Sequence, residues 1–583
     1  MQRTIRTSIS NVLVIGSGAA GLRAAIAAHE SGAEVTIVGK RSARDAHSVL
    51  AAGGINAALG TVDSDDSWQQ HFADTMVEGY YLSDPRVAEI MTYNAPRAVE
   101  ELASWGCDFA RLPNGDIDQR FFGAHTYRRT AYAGDWTGRA IVRTLGRKVV
   151  ALGIPVIEHT YVTELLVRDG TAFGAFAFDL RTGDRTAFMA DAVVLAAGGH
   201  TRLWRRSSSR RDENFGNGMA LAARVGARLA DMELVQFHPT GMVTPEEMAG
   251  TLVTEAVRGE GGRLYNADGD RFMERYDPVR MELSTRDRVA LANYTEIQQG
   301  RGTDNGAVLL DISHIDKETI IERVPRMYRQ FLDSQLLDIS REPMEVAPTA
   351  HYSMGGIEIE PATHATDVDG LYAVGEVTAG LHGANRLGGN SLAETVVFGR
   401  IVGEAAADRA QALTLAQRGP DEVAAASDHI DEVVRPGNEF ARPLQRALRD
   451  TMWEHAGVVR NEPGLKAGLV EIADIEAAMQ DLDVRPSSEG FADLAHAFDL
   501  RSGILTARAT IMSAIERRET RGAHNRSDHT DLEPAMSINF VTTLERRSDY
   551  PDITWKPILP MRAELSSYVS DPDTLPVADR LLE

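Results

Sequence analysis

Four side chains in this sequence could together hold a small acidic molecule. His238 lies in QFHPTG (236–241), His351 opens HYSMGG (351–356), and Arg386 sits in GANRLGGNSLAE (383–394). Thr254 begins TEAVRGEGG (254–262). An imidazole N–H or a hydroxyl donates a hydrogen bond to a carboxylate oxygen, and a guanidinium clamps a carboxylate through two parallel N–H bonds. A lone histidine is usually a structural or surface residue, but each candidate falls in a motif rich in glycine or proline, which favours the functional reading. Glu255 and Arg258 stand one helical turn apart, and Arg286 lies in STRDRVA (284–290). Their charges alone suit a static salt bridge that orients such a molecule.

The N-terminal segment supplies a place for phosphates. Residues 11–15 (NVLVI) form a short apolar run fit for a strand buried on both faces. GSGAAG follows, with Gly16, Gly18, Ala19 and Gly21 opening a helical stretch over 22–30; Gly32 ends it, and 34–38 (EVTIV) returns as a strand. In such a turn the first glycine permits the tight bend, the second admits a pyrophosphate, and the third lets helix and strand pack closely, with the helix N-terminus facing the anion. The acidic residue expected at the end of the second strand is missing, since the chain reads Val38-Gly39-Lys40. That weakens NAD as the ligand.

Two further apolar runs, 192–197 and 371–374, also end in glycine. One nucleotide-binding sheet assembled from distant segments is therefore expected. The expected organisation is α/β: a Rossmann-like domain in two parts (1–244 and 351–405), an inserted capping domain (245–350), a helical domain (406–524) and an extended C-terminal tail (525–583). Helical spacing is clearest over 438–481 and 491–518, with a break at Pro486. Residues 206–212 (RSSSRRD) read as a surface loop.

Composition narrows the function classes. The chain has 583 residues, with 84 acidic against 61 basic side chains and a net charge of −23. A nucleic-acid binder would need a clustered basic face, so none is expected as a partner. No apolar run reaches the roughly 18 residues of a membrane span. The N-terminus enters a strand-like segment without a cleavage site or twin arginine, which predicts a cytoplasmic protein. Cys107 is the single cysteine. It forbids an internal disulfide and an iron–sulfur cluster with four ligands from this chain, and no metal site is expected.

The motifs above, together with DAHSVLAAGGINAALG (45–60) and TRGAH (520–524), occur in an order that resembles the flavoprotein subunit of succinate dehydrogenases and fumarate reductases. The resemblance runs from about residue 11 to about 530. It implies bound FAD, succinate–fumarate interconversion by hydride transfer, and electron transfer to a separate iron–sulfur subunit. That subunit would sit on membrane-anchor subunits with a quinone, holding this chain at the cytoplasmic face of the membrane.

By the same resemblance His238, Thr254, His351 and Arg386 bind the dicarboxylate, and Phe122 walls the site. Arg286 is the acid, fed by Glu255 and Arg258. The cofactor set comprises Gly16, Gly18, Ala19, Gly21, Lys40, His47, Ser48, Gly53, Gly54, Asp231, Glu376, Ser391 and Leu392. Glu376 is assigned to the flavin chain, Asp231 to the adenosine half or its surroundings, and His47 to a covalent bond with the flavin 8α-methyl. Residues 391–394 (SLAE) form a capping-box pattern whose helix N-terminus could stabilise the reduced ring.

Departures from the family pattern are Ala52 before the double glycine, Phe215-Gly216-Asn217-Gly218, and a short loop over 121–135 that includes Arg129. They bear on redox potential and direction rather than on reaction class. L-aspartate oxidase and a soluble fumarate reductase are the rival enzymes. A flavin-binding scaffold without turnover and a flavoprotein acting on tRNA are the rivals of other classes.

Overall fold

The strand Arg6–Ile15 becomes fully apolar and buried over its last four residues, and this is where the parallel part of the sheet is built. In the computed structural model, which describes residues 5–415, 418–486, 490–545 and 549–569, it pairs in parallel with Val35–Val38 on one side and Arg185–Leu195 on the other. Val156–Ile157 extends the sheet beyond Val35–Val38. The long strand Arg185–Leu195 has two neighbours on its far side. Its N-terminal part pairs antiparallel with Thr171–Asp179, and its last residues pair in parallel with Leu371–Ala373. The three apolar runs that end in glycine thus finish at one sheet edge, with Ala196 N–H bonded to Ile15 O and Val374 N–H to Leu195 O. Ligands of open α/β sheets collect outside the carboxyl ends of the strands, and that edge is where the cavity lies.

Helix Ala19–Glu30 packs on this sheet and against helix Asn390–Ala412. A Cβ at Gly21 would stand 2.0 Å from Gly16 O, so only glycine lets the first helix approach its own strand. Asn390–Ala412 is continuous across residue 405, so the sheet domain and the helical region are joined by a helix rather than a linker.

The insertion has its own antiparallel sheet, in the order Val235–Met242, Met344–Ser353, Val308–Asp311, Arg263–Tyr265. Its framing strands begin before residue 245 and end after 350. A separate core of residues such as Val253, Leu264, Phe272, Val289 and Phe331 holds it together. Helix Arg286–Glu296 packs on Val235–Met242, which brings Arg286 over the strand carrying His238.

Helices Ala441–His455, Glu462–Met479 and Ala492–Glu516 fill the expected helical region, together with Pro420–Val433. The tail strands Ile538–Leu544 and Pro551–Pro557 pair as a hairpin that joins Leu229–Ala230 and Gly356–Ile357 in a four-stranded sheet. Among the described residues no helix is long and apolar enough to cross a membrane.

Candidate active site

A cavity of about 290 Å³ opens at the sheet edge. Gly16, Gly18, Ala19, Lys40, His47, Ser48, Gly53, Gly54, Glu376, Ser391 and Leu392 line it, together with Phe122, His238, Thr254, Glu255, Arg286, His351 and Arg386. The residues expected to bind a cofactor and those expected to bind a dicarboxylate therefore share one space. Gly21 and Arg258 stand behind its wall.

Two helix N-termini face the cavity. At the first, Ser48 Oγ accepts a hydrogen bond from Ala19 N–H (3.2 Å), and so satisfies one donor of the opening turn. At the second, Gly389 occupies the cap position with φ 89°, where a Cβ would lie 2.1 Å from Asn56 Oδ1. The expected capping box at 391–394 does not form. Ser391 is already inside the helix, and its hydroxyl accepts from Arg386 Nη1 (3.0 Å). Glu394 turns into the core, where it bonds Tyr352 and His382.

The two histidines come from adjacent strands, and their ring centres are 5.2 Å apart. Thr240 N–H donates to His238 Nδ1 (3.2 Å), which leaves the proton on Nε2 as a donor. His351 Nδ1 is bonded to Ser208 Oγ (2.9 Å). Burial, reinforced by the neighbouring arginines, holds both rings well below the usual histidine range, so they are neutral near pH 7. The Arg386 guanidinium carbon stands over the Tyr352 ring, 4.2 Å from its centre, and its buried Nε has no hydrogen-bond partner. Burial, and then Arg286, push its pKa down to about 9. A buried guanidinium with an unused donor is an incomplete anion site.

Arg286 Nε donates to Glu255 Oε2 (2.8 Å) and Nη1 to Gln236 Oε1 (3.3 Å). Glu255 also accepts Gly123 N–H (3.1 Å), and Arg258 stands 3.7 Å away. Burial alone would raise the Glu255 pKa, but Arg286 and Arg258 hold it down to about 2, so it is a carboxylate throughout the physiological range. Phe122 is buried against Gly53, as expected of a wall.

Several residues absent from the sequence reading complete the site. Gln236 sits two positions before His238 and so shares its strand face, a period-two signal that was available. Residues 206–212 are not merely a surface loop. Ser207 is buried, Ser208 bonds His351, and Asp212 pairs with Arg41. Next to them Glu213 Oε1 lies 3.0 Å from His47 Nδ1.

One assignment needs correction. Asp231 does not reach the cavity; its carboxylate accepts from Asn539 Nδ2 (2.7 Å) and Phe540 N–H (3.0 Å), and so anchors the tail hairpin. Lys40 lines the cavity, and its ammonium pairs with Asp499 at 3.0 Å, a helical-region residue that also binds Tyr161 and Asn217.

A glycine cradle, two helix N-termini and an apolar wall of Ile15, Val38, Leu221 and Val374 fit a dinucleotide that carries a flat ring. Beside it stand neutral histidines and under-paired arginines. Fold and site define a nucleotide-dependent oxidoreductase.

Residues 11–392 match the FAD binding domain family, and residues 445–567 match the fumarate reductase flavoprotein C-terminal family. The chain is 44% identical over 526 residues to a component of the fumarate reductase (CoM/CoB) of Methanothermobacter marburgensis, covering 90% of this chain and 95% of that protein. It is 36% identical over 546 residues to the succinate dehydrogenase flavoprotein subunit of Rickettsia bellii, covering 89% and 90%. Mycobacterium smegmatis Sdh1 in complex with UQ1 superimposes with a TM-score of 0.88 at 38% identity, covering 98% of this chain and 99% of that one. The chain belongs to the succinate dehydrogenase and fumarate reductase flavoprotein family, and it is an FAD-dependent oxidoreductase.

Proposed function

We propose that this chain is a catalytic subunit that interconverts succinate and fumarate. The observation that carries the reading is one cavity holding two neutral histidines, a buried arginine with an unused donor, and an arginine paired to a carboxylate. Bound FAD supplies the hydride acceptor or donor. His238 through Nε2, His351, Thr254 and Arg386 hold the two carboxylates, and Phe122 excludes water from one wall. Arg286 gives or takes the proton at the carbon next to the hydride site, and Glu255 with Arg258 replaces it. Arginine stays protonated in proteins, so the step depends on that immediate exchange with Glu255 at 2.8 Å.

His47 lines the same cavity, and a covalent bond from it to the flavin 8α carbon belongs to this reading. Electrons leave to a membrane quinone through a separate iron–sulfur subunit, since the chain has only Cys107 and that residue is buried. The chain would then be peripheral, held at the cytoplasmic face by its partners, with the domain division set out above.

A second reading concerns the electron partner. The Methanothermobacter marburgensis relative is named a fumarate reductase (CoM/CoB), which favours CoM and CoB over a quinol as this chain's electron partners. The deciding experiment assays the FAD-loaded chain for succinate-dependent dye reduction and for aspartate-dependent oxygen uptake. It then assays fumarate reduction by the complex with quinol or with CoM and CoB. Dye reduction by succinate alone is expected. Turnover of aspartate would move the chain to L-aspartate oxidase, and no turnover in any arm would make it a scaffold.

A further inference from the structure

We infer that Glu213 is a positioning residue that prepares His47 for its bond to the flavin, an inference that rests on the covalent reading above. His47 belongs to the short turn His47–Leu50, and its Nδ1 lies 3.0 Å from Glu213 Oε1. The contact is held from several directions. Glu213 Oε1 also accepts the backbone N–H of Arg210 (2.9 Å), the Arg210 guanidinium bonds the carbonyl of Asp45, and Asp212 pairs with Arg41. The segment carrying Glu213 is thus pinned at two points, Arg41 and Asp45, to the stretch that leads into His47. A carboxylate fixed in this way does more than fill space.

Glu213 stays ionised: burial opposes this, but His47 and Arg210 outweigh it and hold the carboxyl at about 2. An ionised carboxylate accepts only, so His47 keeps a proton on Nδ1. Burial opposes a charged ring, but Glu213 and then Glu376 raise the His47 pKa, and the form that attacks is the one that has given up its Nε2 proton to expose the lone pair on that nitrogen. In the attachment step Nε2 forms the bond to the flavin 8α carbon. That carbon would lose one proton, and two electrons would be left on the ring. Fumarate, an alkene dicarboxylate, would then take up the two electrons with two protons, matching the one lost from the 8α carbon and the one finally given up by His47, and become succinate. As the bond forms, His47 takes on positive charge, and the fixed carboxylate at Nδ1 stabilises it in a site where no water need reorganise. Glutamine at 213 would keep an acceptor for Nδ1 but lose the charge. Aspartate would keep the charge with a shorter reach.

The test mixes the FAD-free full-length chain with FAD and fumarate and follows attachment with time for wild type, Glu213→Gln, Glu213→Asp and His47→Ser. Ultraviolet fluorescence on a denaturing gel reports covalent flavin, and the acid-soluble fraction reports flavin held without a bond. Glu213→Gln is expected to hold FAD at wild-type stoichiometry and attach it at least about tenfold more slowly. Glu213→Asp should fall between the two, and His47→Ser should stay dark. Attachment by Glu213→Gln at the wild-type rate overturns the inference while leaving the covalent bond intact. Loss of all flavin from both Glu213 variants also overturns it, because the residue would then brace the cradle. A dark wild-type band instead removes the covalent reading itself.

Discussion

Two buried arginine clusters in this chain differ in how completely they are answered. Near the C-terminus, Arg517, Arg521 and Arg526 are almost wholly excluded from solvent, and every guanidinium nitrogen of the three has an acceptor. Glu233, Glu519 and Asp528 supply carboxylates, and the carbonyls of Met536 and Ile538 supply more acceptors. At the cavity, where Arg286 and Arg386 line the space and Arg258 stands behind its wall, Glu255 is the only carboxylate bonded to any of the three among the described residues. Arg386 Nε and two nitrogens of Arg258 make no hydrogen bond, although one of the latter stands 3.7 Å from Glu255. Burial of unanswered positive charge is unfavourable in isolation, so the second arrangement is stable chiefly in combination with an anion. The first cluster joins the tail to the body, and the second waits for a ligand.

The comparison can be broken from its structural side first. Arg517→Met removes the cation and leaves Glu233 and Glu519 buried beside each other without it. Leaving a buried ion pair half-made costs about 3–5 kcal/mol, so Tm should fall by roughly 2–4 °C in calorimetry for a chain of this length. Dicarboxylate affinity of the folded protein should hold. A Tm unchanged to within about 1 °C would mean that this cluster is not what binds the tail.

Arg286→Lys should reverse the pattern. A lysine keeps the charge but not the planar fork that meets both Glu255 and Gln236. Turnover with succinate and dye should drop about a hundredfold or more, near 2.7 kcal/mol of barrier, while Tm and dicarboxylate binding stay close to wild type. A loss under about tenfold would remove Arg286 as the acid.

The histidines sharpen the contrast through pH. His238 and His351 in the cavity and His524 in the tail cluster all have pKa values pushed well below normal, by burial first and then by nearby arginines. In the unfolded chain these rings take up a proton as pH falls through about 6.5, whereas the folded protein keeps them neutral. The unfolded state then binds more protons, so stability is lost on acidification. At pH 5.5 each such ring should contribute a loss of about 1 kcal/mol. Saturating malonate favours an imidazolium beside its carboxylates, so it should relieve the share of His238 and His351 but not that of His524. Equal acid loss in Tm with and without malonate would argue that the dianion does not sit between the histidines.

Much of the site was legible because its parts are short motifs whose residue types have few other uses. GSGAAG between two apolar runs specified a strand, a turn and a helix. Histidines and arginines among glycines and prolines marked the residues that line the cavity, and the three runs ending in glycine correctly announced one sheet. The misreadings share a different cause. Ser391 and Glu394 have capping-box spacing, but Gly389 already caps the helix and Tyr352 with His382 draws Glu394 inward, contacts that come from other segments. Asp231 stands close in sequence to His238, yet its partners Asn539 and Phe540 are some three hundred residues away. Residues 206–213 look solvated by composition, and only the fold reveals that they fold over His47 and His351. Local pattern finds groups whose neighbours are local, and it is blind to partners supplied by topology.

Ser208 gives the finest test of that last point. Its hydroxyl is 2.9 Å from His351 Nδ1, on the opposite side of the ring from the nitrogen left for substrate. Ser208→Ala leaves charge, backbone and volume almost unchanged and removes one hydrogen bond, worth about 0.5–1.5 kcal/mol. The ring then loses the contact that fixes its orientation and tautomer, so its donor is aimed at the dicarboxylate for only part of the time. Dicarboxylate affinity should weaken by about threefold to tenfold, with turnover at saturation nearly intact and covalent flavin unaffected, because His47 answers to Glu213 rather than to Ser208. Ser537→Ala is the matched change in the tail cluster, where the serine accepts a long 3.4 Å contact from an arginine already satisfied elsewhere; it should alter neither quantity. If Ser208→Ala behaves like Ser537→Ala in a succinate titration, the 206–213 segment only covers the cavity. If its apparent KM rises alone, the segment is part of the binding site.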